Sequence, residues 1–388
     1  MQKHRPRVLV VGHSYVVGMN QRKLDAVAAL ERVDLALLVP SGWKVREWNR
    51  RLQLERPFTS FALYPARVWL EGRNGGYVYP ASALYRAVRG FRPDLIHVEQ
   101  EVFALSTAQL ALIARMIHVP LVVFGWENVD RRLSLPRRLT RQLVLRTMSL
   151  FIGGNREAVE LVRRWGYRGP AAVLPQFGVD LAAFRPRNCR CEGGPFVVGF
   201  VGRLVWEKGV DVLLDAVSRL SQQGCACRLL VCGSGPERER LEHRVHELGI
   251  ADLVEWQPAV AHEQVPEVMR RLDALVLPSR SAPHVREQFG RVLIEAMASG
   301  VPVVGSTCGE IPNVIGRDDL VFPEGDAEAL ARILERLRRD RDYWEEVRAY
   351  GLARVREHFT MERVAERLVQ LWLQILNRDG RAGSLHGT

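Results

Sequence analysis

Glu287 and Glu295 stand eight positions apart in an otherwise apolar run, Glu287-Gln-Phe-Gly-Arg-Val-Leu-Ile-Glu295-Ala-Met-Ala-Ser-Gly-Val-Pro-Val-Val304. The run reads as a loop, a helix opening near Phe289-Gly290, a turn at Ser299-Gly300 and a buried strand over 301–304. A helix N-terminus offers unbonded N–H groups and the positive end of a dipole, which suits an anion such as a diphosphate. Eight residues of helix span ~12 Å, about the reach of a nucleotide sugar from hexose to ribose. On that spacing Glu287 is expected to hold sugar hydroxyls and Glu295 ribose hydroxyls. The backbone of Phe289, Gly290, Arg291 and Val292 between them is expected to face the phosphates.

A second cluster lies upstream. Arg203 and Lys208 follow an apolar strand that ends at Gly202, and Gly209 closes the turn. Two cations at a strand C-terminus suit a diphosphate leaving group. Lys208 stands out in an arginine-rich chain whose other lysines are Lys3, Lys23 and Lys44. A compact ammonium meets a phosphate differently from a planar guanidinium. Gly233-Ser-Gly235, after another apolar run, opens like a dinucleotide fingerprint, but Arg238 stands where the third glycine belongs. Gly233 is instead expected to let backbone approach a ligand.

These segments together resemble the Glu-x7-Glu signature of family-4 retaining glycosyltransferases of the GT-B fold. Pro175-Gln-Phe-Gly178-Val-Asp180 resembles the segment that ends the family's first domain, and Val198-Gly-Phe-Val-Gly202-Arg203-Leu-Val-Trp-Glu207-Lys208-Gly209 resembles its donor-phosphate loop. Gly233-Ser-Gly235-Pro-Glu237, Pro278-Ser279 and Phe322-Pro-Glu-Gly325-Asp326 follow in the family's order. The likeness is dense from about residue 175 to 326 and thin before it. It implies an α/β chain of two Rossmann-like doubly wound domains facing across a cleft, with a final helix crossing back to the first. It implies a nucleotide-diphosphate sugar as donor substrate, no cofactor, no metal, and transfer to a carbohydrate or lipid-linked hydroxyl by a front-face retaining mechanism. Glu287, Arg203 and Lys208 would be the catalytic set. Gly202, Gly233, Val260, Phe289, Gly290, Arg291, Val292 and Glu295 would hold the donor, Val260 at the base.

The first half departs from the family. Gly12-His13-Ser14-Tyr15 stands where many members have paired glycines. Gly125-Trp126-Glu127-Asn128 stands where many have a histidine near the reacting sugar. Strand C-termini line the ligand face of open α/β sheets. By that rule His13, Tyr15, Glu99, Glu101, Glu127, Asn128 and Asn155 are acceptor-side candidates. His118 precedes its strand and reads as structural. Two other readings stay open: a non-catalytic sugar-nucleotide-binding protein, and a GT-B epimerase acting on its own nucleotide sugar.

The elements that must position these residues alternate. Apolar runs at 7–11, 35–39, 95–98, 121–124, 150–153, 197–201, 229–232, 275–277 and 301–304 are separated by helical patterns such as 209–220 and 327–338, which implies parallel sheets. Residues in the 40s to 80s, with Trp43, Trp48, Trp69, Tyr77 and Tyr79, read as a sheet edge and a loop. A Pro- and Gly-rich stretch over 185–195 reads as a linker. The expected domains are 1–187, 188–360 and a crossover helix with tail over 361–388. In that helix Val364, Ala365, Leu368, Trp372, Ile375 and Leu376 share one face, and the end of the chain is expected to be disordered.

The chain has 388 residues and 47% hydrophobic residues, enough for two cores. No apolar run approaches the ~20 residues that span a bilayer, and the start reads as a strand rather than a signal. The six cysteines, including Cys189, Cys191, Cys225 and Cys227, lack zinc spacing and are expected to be reduced thiols in the cytoplasm. Charge is uneven. Residues 1–185 hold 28 Lys and Arg against 14 Asp and Glu, and residues 186–388 hold 27 against 30, which leaves +14 and −3 of the net +11. The basic half suggests an anionic membrane surface on the inner face or an acidic acceptor, not nucleic acid. Arg131, Arg132, Arg137, Arg138, Arg141 and Arg146 alternate with leucines, as on a basic amphipathic helix or an ordinary solvated one.

Overall fold

The computed structural model describes residues 5–45, 50–73, 75–186 and 194–378. Trp48, Cys189, Cys191, most of the expected linker and the tail beyond Arg378 lie outside the described residues. The chain forms two compact units, one of Met1–Gly178 with Met361–Thr388 and one of Val179–Thr360.

The first unit carries a seven-stranded parallel sheet. Its strands are β1 (Arg7–Val11), β2 (Asp34–Pro40), β5 (Ala62–Ala66), β6 (Leu95–Glu99), β7 (Leu121–Gly125), β8 (Leu150–Gly153) and β9 (Ala171–Val173). Its order is β5-β2-β1-β6-β7-β8-β9, so the order reverses between β1 and β6. Helices on both faces explain why β1, Arg-Val-Leu-Val-Val, is a continuous apolar run rather than an alternating one. The helix Met361–Arg378 buries Val364, Ala365, Leu368, Trp372, Ile375 and Leu376 in this unit's core, the face read from the sequence. The hard-to-read 40s to 80s contain an antiparallel hairpin, β3 (Gly42–Val45) with β4 (Arg50–Gln53), and the edge strand β5. Trp69 and Val78 form a further antiparallel bridge. Trp43, Tyr77 and Tyr79 are buried there, which aromatic content alone does not reveal.

The second unit has six parallel strands: β10 (Phe196–Val201), β11 (Cys227–Cys232), β12 (Val254–Gln257), β13 (Ala274–Leu277), β14 (Val303–Ser306) and β15 (Val321–Phe322). Their order, β12-β11-β10-β13-β14-β15, is the doubly wound arrangement, with its reversal between β10 and β13. Both units are therefore Rossmann-like, as GT-B proteins are. The unit boundary falls at 178/179, ahead of the expected 187/188. Val179 N–H donates to Phe359 O at 2.8 Å, and Phe184 is buried in the second core, so this stretch packs forward.

Candidate functional site

In the second unit the two expected clusters meet at the reversal of strand order. β10 delivers the loop 202–209, and β13 delivers the loop 278–290. Lys208 Nζ lies 2.5 Å from Glu287 Oε2, and Ser279 Oγ donates to the same oxygen at 2.9 Å. The Lys208 and Glu287 side chains remain 21% and 13% exposed, so the pair borders solvent. The loops are joined behind the pair. Gly209 adopts φ +63, and a Cβ there would lie 2.1 Å from Pro278 O, so only glycine allows the approach. Arg280 N–H donates to Glu207 O at 2.8 Å, its guanidinium bonds Asp211, and it lies 4.8 Å from the Trp206 ring centroid. Arg280 and Asp211 lie outside the glycine-flanked motifs, so local spacing does not point to them. Arg203 is exposed and makes no hydrogen bond or ion pair with the described residues.

The helix that separates the two glutamates is Arg291–Ala298, with Gly290 as its N-cap at φ +79. Glu287 therefore precedes the helix and Glu295 lies one turn inside, and half of their separation is loop. The apolar run after Gly300 becomes strand only at Val303, where it pairs with Leu275. Glu295 is buried, with His262 Nδ1 at 3.9 Å and Arg291 Nη2 at 3.8 Å, ion-pair distances too long for hydrogen bonds. Phe289 and Val292 are half-buried against the core, with the Phe289 ring 5.8 Å from Phe359, and Val260 is half-buried in the loop after β12. Gly202 ends β10. A Cβ on Gly233 would lie 1.9 Å from Gly202 O, so this glycine answers to the packing of two strand ends.

In the first unit the acceptor-side candidates separate into two groups. Tyr15 and Glu99 belong to a closed network at the β1–β6 reversal. Tyr15 Oη donates to Glu99 Oε1 at 2.7 Å, and Gln176 Nε2 donates to Oε2 at 2.9 Å. Lys23, fully buried, bonds Oε1 as well. His97 Nε2 lies 3.3 Å from Oε1, and its Nδ1 accepts from Trp372 Nε1 at 3.3 Å, which leaves the proton on Nε2. Burial would raise the Glu99 pKa, but the Lys23 charge and the His97 bond outweigh it and hold the carboxyl below its ordinary range. Lys23 lies in the helix Arg22–Ala29, where a lysine in an amphipathic pattern reads as a surface residue. Asn155 is likewise buried. It caps the helix Arg156–Arg164 by accepting from Ala158 N–H at 2.7 Å and donates to Trp126 O at 3.0 Å.

The second group lies toward the ends of β1, β6 and β7. His13 is half-buried, 4.5 Å from the Trp43 ring and 5.8 Å from Tyr77, with Gln100 Nε2 at 3.3 Å from its Nδ1. Burial lowers its pKa to about 4, against an opposing pull from Glu99, so it is neutral at pH 7. Glu101 Oε1 accepts the N–H groups of Trp126 at 2.8 Å and Glu127 at 3.1 Å. Burial raises its pKa to about 7, helped by the Glu127 charge and opposed by those backbone bonds. Glu127 pairs with Arg131 at 3.2 Å, and Asn128 donates to Glu157 at 2.9 Å. His118 sits at φ +56 just after the helix Leu105–Met116, away from these strand ends.

The arginine-leucine segment is the helix Leu135–Thr147, preceded by Arg131 and Arg132. It buries Thr140 and Val144 but leaves Leu135 67% and Leu139 57% exposed. No helix among the described residues is long and apolar enough to cross a membrane, and no group of three or more metal-ligating side chains gathers there.

Residues 187–354 match the family described as Glycosyl transferases group 1. The chain is 31% identical over 203 residues to the putative colanic acid biosynthesis glycosyltransferase WcaL of Salmonella typhimurium, covering 51% of this chain and 50% of that protein. It is 30% identical over 267 residues to the 2-deoxystreptamine N-acetyl-D-glucosaminyltransferase of Streptomyces fradiae, covering 63% and 62%. The matched span is thus about half the length of such curated relatives. Among solved structures, sucrose-phosphate synthase from Thermosynechococcus elongatus aligns with a TM-score of 0.72 at 20% identity, covering 96% of this chain and all of that one, a likeness of fold. Residues 187–354 therefore belong to the glycosyl transferases of group 1, on a chain with the GT-B fold.

Proposed function

We propose that this protein is a retaining glycosyltransferase that moves a sugar from a nucleotide-diphosphate donor to a hydroxyl of a carbohydrate or lipid-linked acceptor. The observation that carries the reading is the contact of Lys208 with Glu287. Two residues 79 positions apart, each drawn from its own motif, meet at the sheet position where open α/β proteins bind ligands. In this reading Arg203 and Lys208 receive the diphosphate. Glu287 passes from the lysine to the sugar hydroxyls, Glu295 takes the ribose, and Val260 meets the base. Gly202 and Gly233 keep the strand ends close to the phosphates, and the backbone from Phe289 to Val292 faces them.

The chemistry needs no protein nucleophile. The bond from the anomeric carbon to the diphosphate oxygen breaks as the acceptor oxygen bonds to the same face. The acceptor proton passes to the departing phosphate. The work of Arg203 and Lys208 is electrostatic: they stabilise charge that grows on the leaving group. His13, Glu101, Glu127 and Asn128 form the acceptor side. Tyr15, Glu99 and Asn155 hold those strand ends in place. We further propose that the protein works at the cytoplasmic membrane face. The exposed Leu135 and Leu139 beside Arg131, Arg132, Arg137 and Arg138 suit an anionic bilayer surface.

Incubation with a panel of nucleotide sugars and acceptors, following nucleotide release and sugar identity, tests the activity. Transfer with nucleotide release is expected. A donor bound but unchanged would favour a binding protein, and an epimerised donor would favour an epimerase. Glu287→Gln should cut turnover while nucleotide binding and fold survive, and a variant as active as the parent would remove Glu287 from the site.

A further inference from the structure

Glu287 is held at more points than its side chain shows. The end of β14 and the loop that follows it grip the loop that carries it. Ser306 Oγ bonds the Ser279 carbonyl, and Cys308 Sγ lies 3.6 Å from Ser281 Oγ. Both backbone polar groups of Glu287 end on the same segment. Its N–H donates to Cys308 Sγ at 3.5 Å, and its carbonyl accepts from Glu310 N–H at 3.0 Å. Between these contacts Gly309 stands at φ +56. A Cβ there would lie 2.1 Å from Glu287 O and 3.0 Å from its carbonyl carbon. The obstructing atoms are backbone, so an added methyl group must displace Glu287 itself rather than a pliant side chain.

We infer that Cys308, Gly309 and Glu310 form a backbone clamp that positions Glu287, with the thiol and the glycine as its positioning residues. The clamp rests on the assignment of Glu287 to the donor site made above. Its function is to fix a residue that sits on a loop, where no helix or strand bond holds it. Cys308 is buried, and its pKa is raised by burial, so it acts as a neutral thiol whose sulfur accepts a weak bond. A misplacement of about 1 Å at a reacting centre can cost ~100-fold in rate.

The test is a double-mutant comparison on the full chain. Gly309→Ala is expected to lower kcat by ~100-fold with little change in donor KM. In a Glu287→Gln background the same substitution should cost almost nothing, because the residue it positions has already lost its role. Gly249→Ala is the control for strain alone, since Gly249 has φ +66 and open space around its Cβ position. It should retain turnover. If Gly309→Ala folds poorly, Cys308→Ala and Cys308→Ser serve instead. Alanine should lose kcat, and serine, which restores an acceptor for the Glu287 N–H, should regain part of it. A crystal structure of Gly309→Ala should show the Glu287 carboxylate moved off Lys208. An equal loss in both backgrounds, or no loss at all, would overturn the clamp while leaving the site reading intact. A carboxylate still on Lys208 would do the same. A Glu287→Gln protein as active as the parent would remove both.

Discussion

The two units place the same pair of residue types at the same point of their sheets, and the pairs differ in almost everything else. In the first unit Lys23 meets Glu99 at the β1–β6 reversal. In the second Lys208 meets Glu287 at the β10–β13 reversal. The first pair is sealed, with side chains 2% and 0% exposed, and Tyr15, His97 and Gln176 occupy the remaining carboxylate positions. The second is open to solvent on one side, with Ser279 as the further partner of its contacted oxygen. A carboxylate whose acceptor sites are all filled by protein can only hold structure. One that keeps room for another donor can exchange its lysine for a ligand. Burial and satisfaction, not residue type, separate the lock from the working site.

The comparison is most sharply tested by removing each lysine. Lys23→Met leaves Glu99 buried with uncompensated charge, and loss of one partner from a buried pair costs ~3–5 kcal/mol. Denaturant titration should show a loss of that order, and Lys23→Met with Glu99→Leu should recover much of it. A single-variant loss below ~1 kcal/mol, the scale of an exposed pair, would mean that the pair is not a lock.

At the other pair the expected order reverses. Lys208→Ala should change stability little, because Glu287 keeps Ser279 and access to water. It should weaken binding of a nucleoside diphosphate by ~1.5–3 kcal/mol, the range for a lost bond to a charged group, and Arg203→Ala should act similarly. Titration calorimetry reads both. Unchanged affinity in the two variants would put the phosphates elsewhere.

Glu101 offers a smaller, pH-dependent effect. Its folded pKa of about 7 stands above the ordinary carboxylate value of 4.5. Between those values the folded state binds the proton more tightly than the unfolded one, so stability should fall as pH rises through that window. Glu101→Gln should flatten the fall. Parallel stability curves for the parent and the variant between pH 5 and 7 would show that the carboxyl titrates normally.

The smallest effect per residue is expected at the membrane, where the comparison becomes one of net charge between halves. A basic residue near an anionic surface contributes ~1 kcal/mol, and salt screens it over about a Debye length. The protein should sediment with anionic vesicles, not neutral ones, and detach as salt rises. Leu139→Glu should weaken the binding. Equal sedimentation with both lipids at low salt would leave the basic half without a membrane role.

Much of the second unit was legible because its signals are local. Arg203, Lys208 and Gly209 sit on one turn, and the glutamates flank one helix start, so spacing alone locates them. The first unit was less legible for the converse reason. β9 and the two hairpin strands are only three to four residues long, and β5 is an edge strand interrupted by Pro65, so none shows a clear apolar run. Glu99 reads as an open strand-end carboxylate. Only the helix carrying Lys23, the final helix bringing Trp372 to His97, and Gln176 together show that it is enclosed.

The sequence by itself determined the alternation of strands and helices, the two parallel sheets and the order of the glycine-flanked loops, because periodicity and turn chemistry act over a few residues. It also determined which face of the final helix is apolar. The tertiary structure alone decided which lysine meets which glutamate, how much water reaches each pair, and that Cys308 and Gly309 grip the Glu287 backbone. Those outcomes depend on contacts between residues tens of positions apart, and on burial, which no local pattern encodes.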